Sequence, residues 1–216
     1  EHNVTLTQGF YLGKYEVTQA QYEAVMTGNS DGLSATPSRW PNNQNRPVEQ
    51  VSWEDAQIFL TRLNVQQSAN IPAGWAYVLP TEAQWEYACR AGTTTAYSWG
   101  SSIAASNANY NWDGGWNTGS DFKQTRDVGQ YAANPWGFFD MHGNVWEWTA
   151  DWYQAAYPSG NPVVDPTGPA SSSFRVLRGG SWYDDGPILR SAERRHCTPS
   201  YRYYDVGFRV GFQSSK

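Results

Sequence analysis

The sequence predicts an α+β fold rich in loops, on three observations. Three short amphipathic stretches each open with a helix-capping pattern. Twenty glycines and twelve prolines are spread along the chain, which reads as many turns between short elements. Twelve Trp, fourteen Tyr and eight Phe supply burial in large units, so the core is expected to be aromatic. No Pro/Ser-rich linker or charge block divides the 216 residues, and a single domain over 1–216 is expected.

The first helix follows an extended aromatic segment in "GFYLGKYEVTQAQYEAVM". Thr18 and Gln21 have capping-box spacing, and Ala20, Tyr22, Val25 and Met26 continue at helical intervals. In "RPVEQVSWEDAQIFLTRLN", Ser52 can cap, Glu54 and Asp55 favour the positive helix start, and Ala56, Phe59, Leu60 and Leu63 form one apolar face. "YVLPTEAQWEYACRAGT" repeats the device with Thr81 and Gln84, and Gly92 supplies a stop. Trp85, Ala88 and Cys89 share a face there, which makes Cys89 a packing residue or half of a disulfide rather than a nucleophile. From Tyr97 to Val128 the chain is rich in Gly, Asn, Asp and Trp without a sustained period. Such a stretch inside a compact domain must be held by something, and metal coordination is one candidate.

Composition excludes several function classes. A formal charge of −5, with the basic residues concentrated near the C-terminus, argues against nucleic acid as a partner. No run of eighteen apolar residues is present, so no membrane span is expected. Cys89 and Cys197 allow at most one internal disulfide. The chain opens at Glu1 without a methionine, which is expected to reflect trimming, by signal-peptide removal or by choice of boundaries. Asn3-Val4-Thr5 fits the glycosylation sequon, a pattern too short and common to carry weight. There is no internal repeat, Gly-x-Ser-x-Gly elbow, phosphate loop or Cys-x-x-Cys.

The motifs "YEVTQAQY", "RPVEQVSWEDA", "LPTEAQWEYACRAGT", "NPWGFFDMHGNVWEWTADWY", "RVLRGGSW" and "DVGFRV" fall in the order and approximate spacing of one family. From Gly9 to Val210 the chain resembles the formylglycine-generating enzyme (sulfatase-modifying factor) family. The resemblance implies a domain low in regular structure and related to the C-type lectin fold, with a further short segment preceding the equivalent of Glu1 in most members.

It also implies an activity: oxidation of a substrate cysteine with copper and oxygen, using two cysteines shortly after a Gly-Gly-Ser-aromatic turn. Here Gly179-Gly180-Ser181-Trp182 is followed by Tyr183, Asp184, Asp185, Gly186, Pro187, Ile188 and Leu189, and neither cysteine is present. Thiolates are the soft ligands that select Cu(I), and these side chains cannot replace them, so no copper is expected. A second branch of similar proteins, iron-dependent sulfoxide synthases, draws clustered histidines from an added helical domain. This chain has only His2, His142 and His196, with no His-x-x-x-His spacing. Asp184 and Asp185 could form an acid/base pair, but adjacent side chains diverge and the expectation is a solvated acidic turn.

Calcium is the cofactor the resemblance does imply. "HGNVWEW" is similar to a family site built from backbone carbonyls and a glutamate, which falls on Gly143, Asn144, Val145 and Glu147. Ca²⁺ takes about six to eight hard oxygen ligands and accepts carbonyls from irregular loops. The bland reading of Glu147 is a buried, hydrogen-bonded carboxylate between Trp146 and Trp148. A second family site has the spacing of Asn107, Ala108 and Asp121, with Asn109 competing for the register.

The C-terminal segment is read as the ligand site. In the family it surrounds the peptide-substrate pocket, and here it carries Trp182, Tyr183, Asp184, Asp185, Glu193, Arg195, His196, Ser200, Tyr201, Tyr203, Tyr204 and Asp205. Tyr gives large amphipathic contact at low entropic cost, and Ser, Asp and His add adaptable hydrogen bonds. The expected partner is a protein, peptide or glycan. The segment also resembles the variable region of proteins diversified by retroelements, many of which use this fold and end shortly after a Gly-Phe-Arg motif. Against this stands the ordinary reading, in which Arg178, Arg190, Arg194, Arg202 and Arg209 pair with carboxylates to organise loops. The sequence therefore points to a non-catalytic, calcium-stabilised binding protein, with an enzyme of altered chemistry on the same scaffold as the alternative.

Overall fold

The computed structural model describes residues 3–41, 43–112, 123–156 and 162–214. All three expected helices form: α1 (Gln19–Met26), α2 (Trp53–Gln66) and α3 (Glu82–Arg90). Each starts with a reciprocal capping box, from Thr18 and Gln21, Ser52 and Asp55, and Thr81 and Gln84. Each box satisfies two N–H groups that the helix start would otherwise leave without partners. α3 stops one residue before the expected Gly92: Ala91 turns left-handed at φ 46°, and Gly92 follows at φ 88°.

Among the described residues nine short strands join them: β1 (Val4–Thr5), β2 (Tyr11–Leu12), β3 (Trp75–Val78), β4 (Trp146–Trp152), β5 (Val163–Val164), β6 (Arg175–Arg178), β7 (Arg195–Cys197), β8 (Val206–Gly207) and β9 (Gly211–Ser214). They form a four-stranded sheet in the order β7-β6-β4-β8, a three-stranded sheet β2-β9-β3, and a parallel pair β1-β5. In the larger sheet β4 runs antiparallel to β6, with Glu147 opposite Arg178, and parallel to β8, with Trp146 opposite Val206. β4 is buried along nearly its whole length because α3 covers one side and the aromatic core the other.

That core is aromatic, as expected. Tyr22 of α1 stacks on Phe59 of α2 at 5.5 Å, and Phe208 meets Phe59 edge-on at 5.2 Å. Trp146, Trp148, Leu177 and Val206 close it from the sheet side. Cys89 packs with Trp85, Ala88 and Met141 in a second cluster, and both cysteines are free thiols.

The C-terminal arginines organise the scaffold, as the ordinary reading held. Arg209 is buried and holds Glu147 through two nitrogens, at 2.6 and 2.7 Å. Arg178 reaches Glu82 and Glu86 on α3, Arg194 also binds Glu82, and Arg202 forks onto Asp55 at 2.6 and 2.7 Å. The described part of the 97–128 stretch is held by the protein's own bonds. Tyr97 donates to Gly186 O at 2.8 Å, and Asn109 Nδ2 donates to Gln124 O at 2.9 Å. Among the described residues no helix is long and apolar enough to cross a membrane.

Candidate ligand-binding site

After β6 the chain turns sharply through Gly179 and Gly180, at φ 100° and 73°. A side chain at Gly180 would strike Leu189, whose Cδ1 lies 2.8 Å from where a Cβ would stand. The next turn folds Asp184 back onto the scaffold. Its Oδ2 accepts from Ser181 Oγ at 2.5 Å, Ser181 N at 3.0 Å and the Trp146 indole N–H at 2.8 Å. The expectation of a solvated acidic turn is thus corrected for Asp184, because Trp146 at the start of β4 offers a buried donor that water cannot outcompete. Asp185 points elsewhere, is exposed, and accepts from Asn111 Nδ2 at 3.0 Å.

Asp205 lies on the other side of the same hydroxyl, 3.3 Å from Ser181 Oγ, and is buried. Burial and the charge of Asp184 push its carboxyl up to about 6. Burial also raises Asp184. Arg195 counters both: it stands 3.9 Å from Asp184 Oδ1 and 5.5 Å from the Trp146 ring centre, with its side chain 42% exposed.

Above this pair lies an aromatic cluster. The Trp182 ring is 5.4 Å from Tyr183 and 5.5 Å from Tyr204, and Tyr203 lies 4.0 Å from Tyr204 with Tyr201 stacked beyond it at 5.7 Å. Trp40 abuts Trp182 edge-on at 5.5 Å, and the Arg39 guanidinium sits 5.1 Å from the Tyr204 ring. Neither Arg39 nor Trp40 was expected here. They are placed by Glu49, whose Oε1 accepts from Arg39 N at 2.7 Å and which burial pushes up to about 7.

Other C-terminal residues stand apart. His196 alternates away from Arg195 and Cys197 along β7 and stacks on Tyr153 at 3.9 Å. Glu193 pairs with Arg190 at 3.1 Å, and Ser200 is exposed in the turn closed by Tyr201 N and Thr198 O.

The HGNVWEW segment is locked into the interior. Asn144, left-handed at φ 64°, donates to Glu16 Oε2 at 2.8 Å, accepts from Arg126 N at 2.9 Å, and offers its carbonyl to Trp182 N at 3.0 Å. Gly143 N donates to Gly179 O and Val145 N to Glu16 Oε1. Glu147 accepts from Trp85 Nε1 at 2.7 Å as well as from Arg209. Three carboxylates, Glu16, Asp140 and Glu147, thus act on one another around one arginine. Burial and their mutual repulsion raise Glu16 well above its ordinary value, and burial chiefly raises Asp140 to about 6. Of the second expected site, Asn107 caps Ala104 N at 2.8 Å, Ala108 is buried, and it is Asn109 that reaches Asn144, at 3.2 Å. Asp121 lies outside the described residues. Among the described residues no three His, Cys, Asp or Glu side chains converge as a metal cage, so any ion here would depend on carbonyl oxygens.

The thiols are poor nucleophiles. Burial pushes Cys89 up to about 12 and raises Cys197 too. His142 is buried and neutral. Its Nδ1 donates to Leu189 O at 2.7 Å, its Nε2 accepts from Ser98 N at 3.2 Å, and burial lowers it to about 4.

The chain is 37% identical over 177 residues to a formylglycine-generating enzyme of Streptomyces coelicolor, covering 76% of this chain and 52% of that protein. It is 35% identical over 179 residues to the formylglycine-generating enzyme of Mus musculus, covering 78% and 44%. The chain thus spans about half the length of the curated relatives it matches. Among solved structures, Treponema denticola variable protein 1 superposes with a TM-score of 0.79 at 30% identity, over 98% of this chain and 87% of that one. PvdO from Pseudomonas aeruginosa gives a TM-score of 0.80 at 26% identity, over 97% and 82%. The sulfatase-modifying factor enzyme 1-like domain matches residues 1–213, and the chain belongs to that family.

Proposed function

We propose that this protein binds a protein, peptide or glycan ligand through the surface formed by Trp182, Tyr183, Asp184, Arg195, Tyr203, Tyr204 and Asp205, with Arg39 and Trp40, and does not carry out copper-dependent oxidation. The observation that carries the reading is the Ser181–Leu189 turn: an acidic, aromatic-rimmed surface stands where the enzymes of the family are expected to hold two thiolates. Tyr and Trp rings supply contact area, while Arg195, 3.9 Å from Asp184 and partly exposed, can re-pair with a ligand group. The test is capture from peptide and glycan arrays by the parent protein and by Tyr204→Ala, with Cu(I) titration in parallel. Array binding lost in the variant supports the reading. Cu(I) binding tighter than about micromolar that Asp184→Ala abolishes would overturn it in favour of an enzyme.

The likeness to a protein named variable protein 1, over nearly the whole chain, favours a finer version in which this surface is diversified by a retroelement. A near-copy of the DNA for Trp182 to Val210, differing chiefly where the copy has adenine and lying beside a reverse transcriptase, is the expected finding. An intact locus without such a copy removes that version.

Calcium is part of the same proposal. The carbonyls of Gly143, Asn144 and Val145 would supply the hard oxygen donors, and Glu147 would join them only by giving up part of its hold on Arg209 and Trp85. Bound calcium would stiffen the segment from which Trp146 and Asn144 suspend the ligand surface. Calorimetric titration of chelator-treated protein is expected to show heat and a raised Tm, and absence of both sinks the metal.

A further inference from the structure

We propose that the groove between residues 4–10 and α3 is a second binding site, and that it takes a neutral saccharide ring. Its volume is about 540 Å³, within the range of pockets that enclose small ligands, and it shares no residue with the surface around Trp182. Two large aromatic side chains stand in it half uncovered, Tyr87 at 54% and Trp136 at 46% exposure. Their rings meet edge-on at 4.8 Å, and Phe10 extends the wall to 6.5 Å from Tyr87.

Trp136 is held in this position by its own loop. Asn134 accepts from Trp136 N at 3.0 Å and donates to the carbonyls of Ala88 and Cys89 at 2.7 and 3.2 Å, which pins the loop to the last turn of α3. An aromatic surface fixed in place before a ligand arrives loses little freedom on binding.

The polar wall, on α3 beside Tyr87, is charged but self-compensated. Arg90 and Glu86 pair at 2.8 Å, the second Glu86 oxygen is taken by Arg178, and Arg90 also donates to Thr95 O at 3.3 Å. Such a wall exerts little net pull on an ion, yet it keeps donors and acceptors in fixed places. A purely apolar ligand would strip water from this pair and offer no hydrogen bond in return. A sugar ring answers both walls: its C–H face lies on Trp136 or Tyr87, and each hydroxyl both donates and accepts. The exposed Gln8 amide at the mouth adds a donor and an acceptor of the same kind.

Saturation-transfer NMR and tryptophan fluorescence with the methyl glycosides of glucose, galactose, mannose and N-acetylglucosamine test the site. At least one glycoside is expected to bind, with a Kd on the order of 1 mM. Trp136→Ala and Tyr87→Ala are expected to weaken it by about tenfold each, with Tm unchanged because both rings are half exposed. Tyr204→Ala is expected to leave it intact, which separates this site from the C-terminal surface. The inference is overturned if none of the four glycosides binds well above millimolar concentration, if both groove variants retain full affinity, or if Tyr204→Ala abolishes binding. An apolar fluorescent dye that fills the groove while every glycoside fails would likewise overturn it.

Discussion

Two carboxylate–arginine pairs lie at the start of β4, one at Glu147 and one against the neighbouring Trp146 ring, and they behave oppositely. Glu147 and Arg209 are both buried, meet through two nitrogens at 2.6 and 2.7 Å, and are tied further to Trp85 and the Gly13 carbonyl. Asp184 and Arg195 stand 3.9 Å apart, with the arginine 42% exposed. The first pair has no slack, since removing either partner strands a charge in the interior. The second has two alternatives available, water and a ligand. The fold thus keeps its rigid charges in the scaffold and its adjustable ones at the surface where recognition is proposed.

The largest effect is expected at Arg209. Arg209→Met leaves Glu147 buried without its cation and is expected to lower stability by about 3–5 kcal/mol in urea titration at neutral pH. A loss below about 1 kcal/mol would mean that the buried pair is no more rigid than the surface one. Glu49 differs again, being buried beneath Arg39 and Trp40 with N–H donors and, among the described residues, no ion pair, although the Arg39 charge lies near. Its carboxyl is pushed from 4.5 up to about 7. Its favourable contribution is therefore complete below about 4.5 and is lost as pH rises through about 7. Glu49→Gln keeps the acceptor and cannot ionise, so it is expected to be about 2 kcal/mol more stable than the parent at pH 8 and equal to it at pH 4. The smallest effect belongs to Arg195→Met, expected within about 1 kcal/mol of the parent because the pair is partly solvated. Its thermal melt should be nearly unchanged while array binding falls, and the reverse pattern would make Arg195 scaffold.

What was legible in the sequence was local. Thr18, Ser52 and Thr81 each find their partner three residues on, and the capping pattern carried all three helices. The structural role of the arginines was open to reading, but not their partners: Arg202 meets Asp55 at a separation of 147 residues, and no local pattern encodes that. Asp184 was misread because its environment is set by Trp146, which the turn brings beneath it. Arg39 and Trp40 were missed for the same reason, since a lone Trp in a polar loop carries no sign of the rings it will meet. The strands of two residues, β1, β2, β5 and β8, are too short to show a period of two, and only pairing with distant partners defines them.

The position of β9 has a kinetic consequence. Gly211–Ser214 is the central strand of its sheet, lying between Tyr11–Leu12 and Trp75–Val78, and Arg209 just before it joins Glu147 to the carbonyls of Gly13 and Phe139. During synthesis the early strands must wait for these residues with their edges open, so closure of the domain comes as a late event, after Arg209 and β9 have left the ribosome. Until then β2 and β3 are unpaired edges. The nascent chain is most exposed to misassociation in this interval, and a pulse of protease during translation should find it open until Arg209 and β9 emerge.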